Sequence, residues 1–197
     1  DINSKIWELE ADIRKGALDN DLPEVGRRAI MIRRINSLRI SFKNIINKYP
    51  NFRVFELAVS DTPGVINFNA IPHTYAAGTV GNSSMLRKEK TVGYDPENWI
   101  KVLAVTGITI LKLIDKPEID MVKIDVEGCT FEVLKSFGND IRLLKMLHLE
   151  VEKLPIWENQ HLYDEIRQYL QYFGFKELYY IPQYNDGNQG DSVWSRI

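Results

Sequence analysis

The sequence predicts an α/β fold, with a mainly parallel sheet that closes in an antiparallel hairpin. Three observations predict it. Strand-like and helix-like segments alternate along the second half of the chain, the pattern of crossover units that lay strands parallel. One stretch, residues 119–138 (IDMVKIDVEGCTFEVLKSFG), reads as a complete strand–turn–helix unit. The last two strand-like segments are joined by a polar loop of about eight residues without a helix, too short for the usual parallel crossover, so they pair antiparallel.

The 119–138 stretch organises the rest. Ile119, Met121, Val122, Ile124 and Val126 form a short, β-branched apolar run, which predicts a strand buried on both faces. Asp125 and Glu127 fall where that strand runs out, and Gly128 permits a sharp turn. Phe131, Leu134 and Phe137 then recur every three residues, with Thr130 and Glu132 where helix starts favour cap oxygens and negative charge. Gly138 supplies the stop. In open α/β sheets ligands bind beyond the carboxyl ends of strands, where Asp125 and Glu127 lie.

Upstream, residues 6–9 (IWEL) and 29–32 are candidate strands, separated by a charged segment read mostly as loop. From Ile35, the positions Leu38, Phe42, Ile45, Ile46 and Tyr49 follow a helical stripe. Arg33, Arg34, Arg39, Lys43 and Lys48 make this helix basic, either as a solvated face or as a docking patch for an anionic partner. Pro50-Asn51 breaks it. Residues 52–59 (FRVFELAV) read as a strand, 60–64 (SDTPG) as a turn, and 65–68 as a short strand. Residues 71–94 form a long polar segment holding His73, Tyr75, Ser83 and Ser84, a length that points to function or disorder. Residues 101–105 read as a strand and 108–114 as a helix ended by Pro117. In 143–153, Leu147, Leu149 and Val151 alternate with His148, Glu150 and Glu152, which predicts a strand. Leu162, Ile166, Tyr169, Leu170 and Phe173 mark a helix that stops at Gly174, and residues 175–181 and 191–197 read as the closing strands. There is no internal repeat, and 197 residues suit one domain better than two.

Composition narrows the class. Hydrophobic residues at 44% and charged residues at 26% are those of a globular protein. A net charge of −2 and a pI near 6.0 give no electrostatic reason to expect nucleic acid as a partner. The one cysteine, Cys129, excludes an internal disulfide and fits a reducing compartment, so a cytoplasmic location is expected. No window carries eighteen consecutive apolar residues, so no membrane span is expected. The N-terminus lacks the blocks of a secretory signal and opens on Asp1 rather than Met, as a trimmed or processed chain would.

With these motifs in hand, the topology resembles that of the Rossmann-like S-adenosylmethionine-dependent methyltransferases, with helices on both faces of the sheet. The residues resemble more closely the FkbM-type family within them. LAVSDTPGVINF at 57–68 is similar to that family's third strand and turn, GNSSM at 81–85 to its serine-containing loop, and VKIDVEG at 122–128 to its most recognisable motif. LHLEVE at 147–152 resembles its next strand and GDSVWSR at 190–196 its last. The resemblance covers residues 51–197 well and 1–50 poorly.

It implies methyl transfer from S-adenosylmethionine to a hydroxyl oxygen of a sugar, polyketide or other small-molecule or glycan acceptor. It also implies landmarks that this chain lacks. Where the family carries Asp-x-Gly-Ala-Asn-x-Gly, the nearest counterpart is 8–14, ELEADIR. Glu8, Ala11 and Asp12 are near-equivalents there, while Glu10 and Arg14 replace both glycines. Where a Glu-Pro-Asn should place a carboxylate on the ribose, the chain has Arg33-Arg34-Ile35-Asn36, and arginine only donates. Either the cofactor half is altered and leaves a methyltransferase-like binding module, or the glycine turn lies elsewhere.

The residues offer these candidates for the implied chemistry. Asp125 either accepts the acceptor's proton and balances the sulfonium, or caps the next helix. Glu127 orients substrate or favours the helix N-terminus, and Glu150 shares the cleft with Asp125. Asp125 and Glu150 together would suit Mg²⁺, although a solvated strand end reads the same and no metal is expected. Val59 and Ser60 lie where the implied fold meets adenine, and Ser84 (with Ser83) where hydroxyls would hold the methionine part or the acceptor. His73 and His148 are possible bases, although a lone His is more often a hydrogen-bonded structural residue. Tyr75, Trp99 and Trp157 are possible pocket walls, although aromatics are core residues by default.

Overall fold

Alternation of apolar and polar residues becomes alternation of faces as soon as strands pair. The computed structural model describes residues 48–49, 53, 55–70, 83–89, 98–115, 118–183 and 187–197. The chain divides into two units, Asp1–Phe55 and Glu56–Ile197. The elements below belong to the second. The candidate strands at 6–9 and 29–32, the basic helix before Lys48, and Glu8, Ala11 and Asp12 lie outside the described residues.

Two sheets are described. In the first, β1 (Ala58–Val59) pairs parallel with β3 (Trp99–Val105), and β2 (Gly64–Asn69) pairs antiparallel with β3 on its other side. Among the described residues of the strand expected over 52–59, Ala58–Val59 pair and 55–57 do not. The turn after it forms as expected, because the Ser60 hydroxyl accepts the Thr62 N–H at 3.2 Å.

The second sheet has the order β4-β5-β7-β6, built from β4 (Ile119–Ile124), β5 (Leu144–Glu152), β6 (Phe175–Pro182) and β7 (Gln189–Arg196). β4 and β5 are parallel, and β7 lies antiparallel to both β5 and β6. So β4, β5 and β6 run one way and β7 runs against them. The antiparallel closing hairpin is therefore present, and the described sheets mix parallel and antiparallel pairs. On β5, Leu147, Leu149 and Val151 are fully buried in a core shared with Ile124, Leu134, Ile141, Ile166, Leu170 and Trp194. Their alternates His148, Glu150 and Glu152 share the opposite face. β4 departs from expectation, for among the described residues it is not covered on both faces: Met121 is 53% exposed while Ile124 is buried. In the described sheet β4 pairs only with β5 and forms an edge.

The helices follow their sequence signals with local corrections. α1 (Gly107–Ile114) is capped by Thr106, whose Oγ1 accepts the Thr109 N–H at 3.3 Å, and it ends at a left-handed Asp115. α2 (Thr130–Lys135) is shorter than expected. Ser136 follows it, and the Phe137 N–H reaches back to the Leu134 carbonyl, a tightened turn that leads into a 3₁₀ segment, Gly138–Leu143. Thr130 does not cap α2. Its hydroxyl donates to the Glu150 carbonyl at 2.9 Å, fastening the helix start to β5. α3 (Tyr163–Tyr172) begins where the Glu165 carboxylate accepts the Leu162 N–H at 2.9 Å. Among the described residues no helix is long and apolar enough to cross a membrane.

Ser136 joins two helices. Its hydroxyl donates to the Val133 carbonyl at 2.6 Å and accepts the buried Gly107 N–H at 2.8 Å. Replacing Ser136 with Ala leaves that N–H without a partner, so we expect a loss of about 1–3 kcal/mol in urea unfolding.

Candidate functional site

The acidic turn after β4 takes its shape from two successive residues in the left-handed region, Glu127 at φ 49° and Gly128 at φ 87°. Glycine adopts this freely; glutamate does so at a cost. A hydrogen bond from outside holds it. Ser84 Oγ donates to the Glu127 carbonyl at 2.6 Å and accepts the Leu86 N–H at 3.1 Å. Ser84 is itself fixed by backbone pairing with Asn69, at the end of β2. From the other side the Trp157 ring lies against Gly128, where a Cβ would overlap it.

This turn forms one wall of a cleft of about 640 Å³. Its described lining is mostly apolar, with Val59 from β1, Phe68 from β2, Val102 from β3, Met85 from the 83–89 segment, and Val133 and Phe137 around α2. Polar groups come from Lys123, Asp125, Glu127, Ser83 and Glu56. Asp125 is half exposed, and its Oδ2 accepts the Lys123 ammonium at 2.9 Å. Glu150 is 7% exposed. Its Oε1 accepts the Gln183 amide at 2.9 Å, while Oε2 is buried without a donor. One oxygen from each of Asp125, Glu127 and Glu150 lies within 4.8 Å of the others. Burial first, and then the Asp125 charge, pushes the Glu150 carboxyl upward, against the Gln183 hydrogen bond.

The structure thus brings Asp125, Glu127, Glu150 and Val59 to one region. Ser60 and Ser84 are buried, and their hydroxyls are engaged by the backbone. Ser83, beside Ser84, is the serine that lines the cleft. His148 Nε2 is 2.8 Å from Asp191 Oδ1 across β5 and β7. Trp157 is a core residue at 2% exposure, and His73 and Tyr75 lie outside the described residues. Cys129 is also buried, and burial followed by the Glu132 charge pushes its thiol up to about 12, which keeps it protonated and a poor nucleophile.

Sequence reasoning passed over three residues here. Lys123 shares a strand face with Asp125 by their two-residue spacing, a signal that was available. Glu152 repeats that spacing after Glu150. Gln183 sits in a loop, and nothing local marks it.

Glu152 is 1% exposed, with Oε2 accepting the Gln160 amide at 2.6 Å and Oε1 lacking a partner. Burial first, then the charges of Glu150 and Glu127, pushes its carboxyl from the ordinary 4.5 up to about 8. In the unfolded chain it ionises near 4.5, while the folded chain keeps the proton until about 8. Its contribution to stability is full below the first value and is lost as pH rises through the second. The slope is at most about 1.4 kcal/mol per pH unit. Glu152→Gln should flatten stability between these limits, measured by denaturant unfolding across the range.

Comparison with known proteins gives one result. No curated protein and no solved structure matches the chain significantly. Residues 28–177 match the Methyltransferase FkbM domain. The matched span takes in β1 to β5, α1 to α3, the acidic turn and Arg33, and leaves out Glu8, Ala11 and Asp12. With about three quarters of its length in that match, the acidic turn included, this chain belongs to the FkbM methyltransferase domain family.

Proposed function

We propose that this chain is an S-adenosylmethionine-dependent methyltransferase that acts on a hydroxyl oxygen of a small-molecule or glycan acceptor, such as a sugar or polyketide. The observation that carries the reading is an apolar cleft with a carboxylate rim, in a chain of the FkbM methyltransferase family. The strand order β4-β5-β7-β6 with β7 reversed supports a Rossmann-like arrangement. The single cysteine supports a reducing, cytoplasmic setting.

When bound, the cofactor supplies an electrophilic methyl group on a positively charged sulfonium. The cleft chemistry fits it. Val59, Phe68, Met85 and Val102 offer apolar walls for a flat heterocycle, and Asp125 and Glu127 offer negative charge to a cation. The cleft of about 640 Å³ falls within the usual range for small-molecule sites. Asp125, half exposed at the cleft, takes the acceptor's proton, and Glu127 orients the acceptor. Glu150, held by Gln183, backs Asp125 from the buried side. Ser84 acts through the Glu127 backbone.

A second reading, a non-catalytic binding module, is favoured by Arg33. It lies inside the matched span, yet stands where the family resemblance implies a ribose-binding carboxylate.

Calorimetry with S-adenosylhomocysteine separates the two. The enzyme reading expects saturable binding; no heat at millimolar ligand ends it. Given binding, transfer of labelled methyl to a panel of sugar and polyketide alcohols should fall roughly 10²–10⁴-fold in Asp125→Asn. Equal turnover in that variant removes Asp125 as the base.

A further inference from the structure

An acidic cluster on a solvated turn requires no ligand. The one formed by Asp125, Glu127 and Glu150 differs because of Glu150. That side chain is only 7% exposed, and its Oε2 is buried without a hydrogen-bond donor. The group it meets, Asp125, is another carboxylate and so another acceptor. A buried carboxylate oxygen without a donor, on a side chain beside a second carboxylate, is costly unless a cation or proton lies close.

We propose that Asp125, Glu127 and Glu150 bind a hard divalent cation of the Ca²⁺/Mg²⁺ class. The donor set is all oxygen, with neither histidine nor thiolate, which selects hard ions over zinc. The spread of the oxygens also fits. Ligands on opposite sides of Ca²⁺, each at about 2.4 Å, stand about 4.8 Å apart; for Mg²⁺, at about 2.1 Å, the span is about 4.2 Å. Three oxygens mutually within 4.8 Å do not exceed the widest separation that one Ca²⁺ allows, and small side-chain adjustments bring all three onto it. Lys123 engages Asp125 through Oδ2 in a half-exposed pair, which offers a dissolved ion little competition. Gln183 keeps Glu150 in place through Oε1, while Oε2 has no hydrogen-bond partner. Waters complete the coordination sphere. The site is made of the chain's own carboxylates and does not depend on methyl transfer. Only the notion that an acceptor hydroxyl replaces one of those waters rests on that reading.

The test uses the protein alone, without methyl donor, titrated calorimetrically with CaCl₂ and separately with MgCl₂ at constant ionic strength. We expect one saturable site per chain with a dissociation constant of about 10⁻⁴–10⁻³ M, tighter for Ca²⁺. Glu150→Gln keeps the shape and removes the charge, and should weaken binding at least about tenfold. Because Glu150 is buried, the half-exposed Asp125→Asn is measured beside it, with circular dichroism of both variants to verify folding. The proposal is overturned if neither ion gives saturable heat up to about 10 mM. It is equally overturned if both folded variants bind like the parent. Failure of methyl transfer leaves either result intact.

Discussion

The bend at Glu127 and Gly128 is the constraint on which the cleft depends. A strand must end and a helix begin within a few residues, and the chain manages this with two consecutive left-handed residues. Gly128 costs nothing sterically, but Glu127 stores strain of about 1–3 kcal/mol, which persists only where neighbours fix it. Ser84 does so through its 2.6 Å hydrogen bond to the Glu127 carbonyl. The 83–89 segment that carries Ser84 is stitched to Asn69 on one side and to residues 156–158 on the other. Trp157, from that second anchor, covers Gly128. Three separated parts of the sequence thus meet at this bend, with Asn69 holding one of them from behind, and the positions of the Asp125 and Glu127 carboxylates follow from it.

Sheet register then concentrates charge. Ile124 pairs with Leu149, so the residues that follow, Asp125 and Glu150, come side by side. Glu152 lies two further along the same face and is pushed to a pKa of about 8, so it stays largely protonated at neutral pH. A neutral Glu152 spares the site a fourth negative charge. Thr130 fastens the start of α2 to the Glu150 carbonyl, tying helix and strand end together beside the turn. The result is a carboxylate edge against apolar walls, half exposed at Asp125 and buried at Glu150.

Much of this was legible from local pattern. The period-two alternation in 147–152 assigned Leu147, Leu149 and Val151 to the core, and the absence of a helix between 182 and 190 gave the antiparallel hairpin. Where local pattern misled, a tertiary contact decided. Met121 looks buried because it is apolar, but β4 forms an edge of the described sheet. Residues 55–57 look like strand, but among the described residues pairing begins at Ala58. Thr130 looks like a helix cap, but its hydroxyl finds the β5 backbone. Ser84 looks like a ligand contact because it lies in a polar loop, yet its hydroxyl serves the turn.

By itself the sequence determined the elements, the family and the acidic turn, because each is written in residues close together: an apolar run, two carboxylates, a glycine, a helical stripe. The tertiary structure alone decided which oxygens meet. Glu150 reaches Asp125 through strand register, Gln183 reaches Glu150 from 33 residues away, and Ser84 reaches Glu127 from 43. Contacts at such separations leave no period in the sequence, because chain folding, not local geometry, brings their partners together.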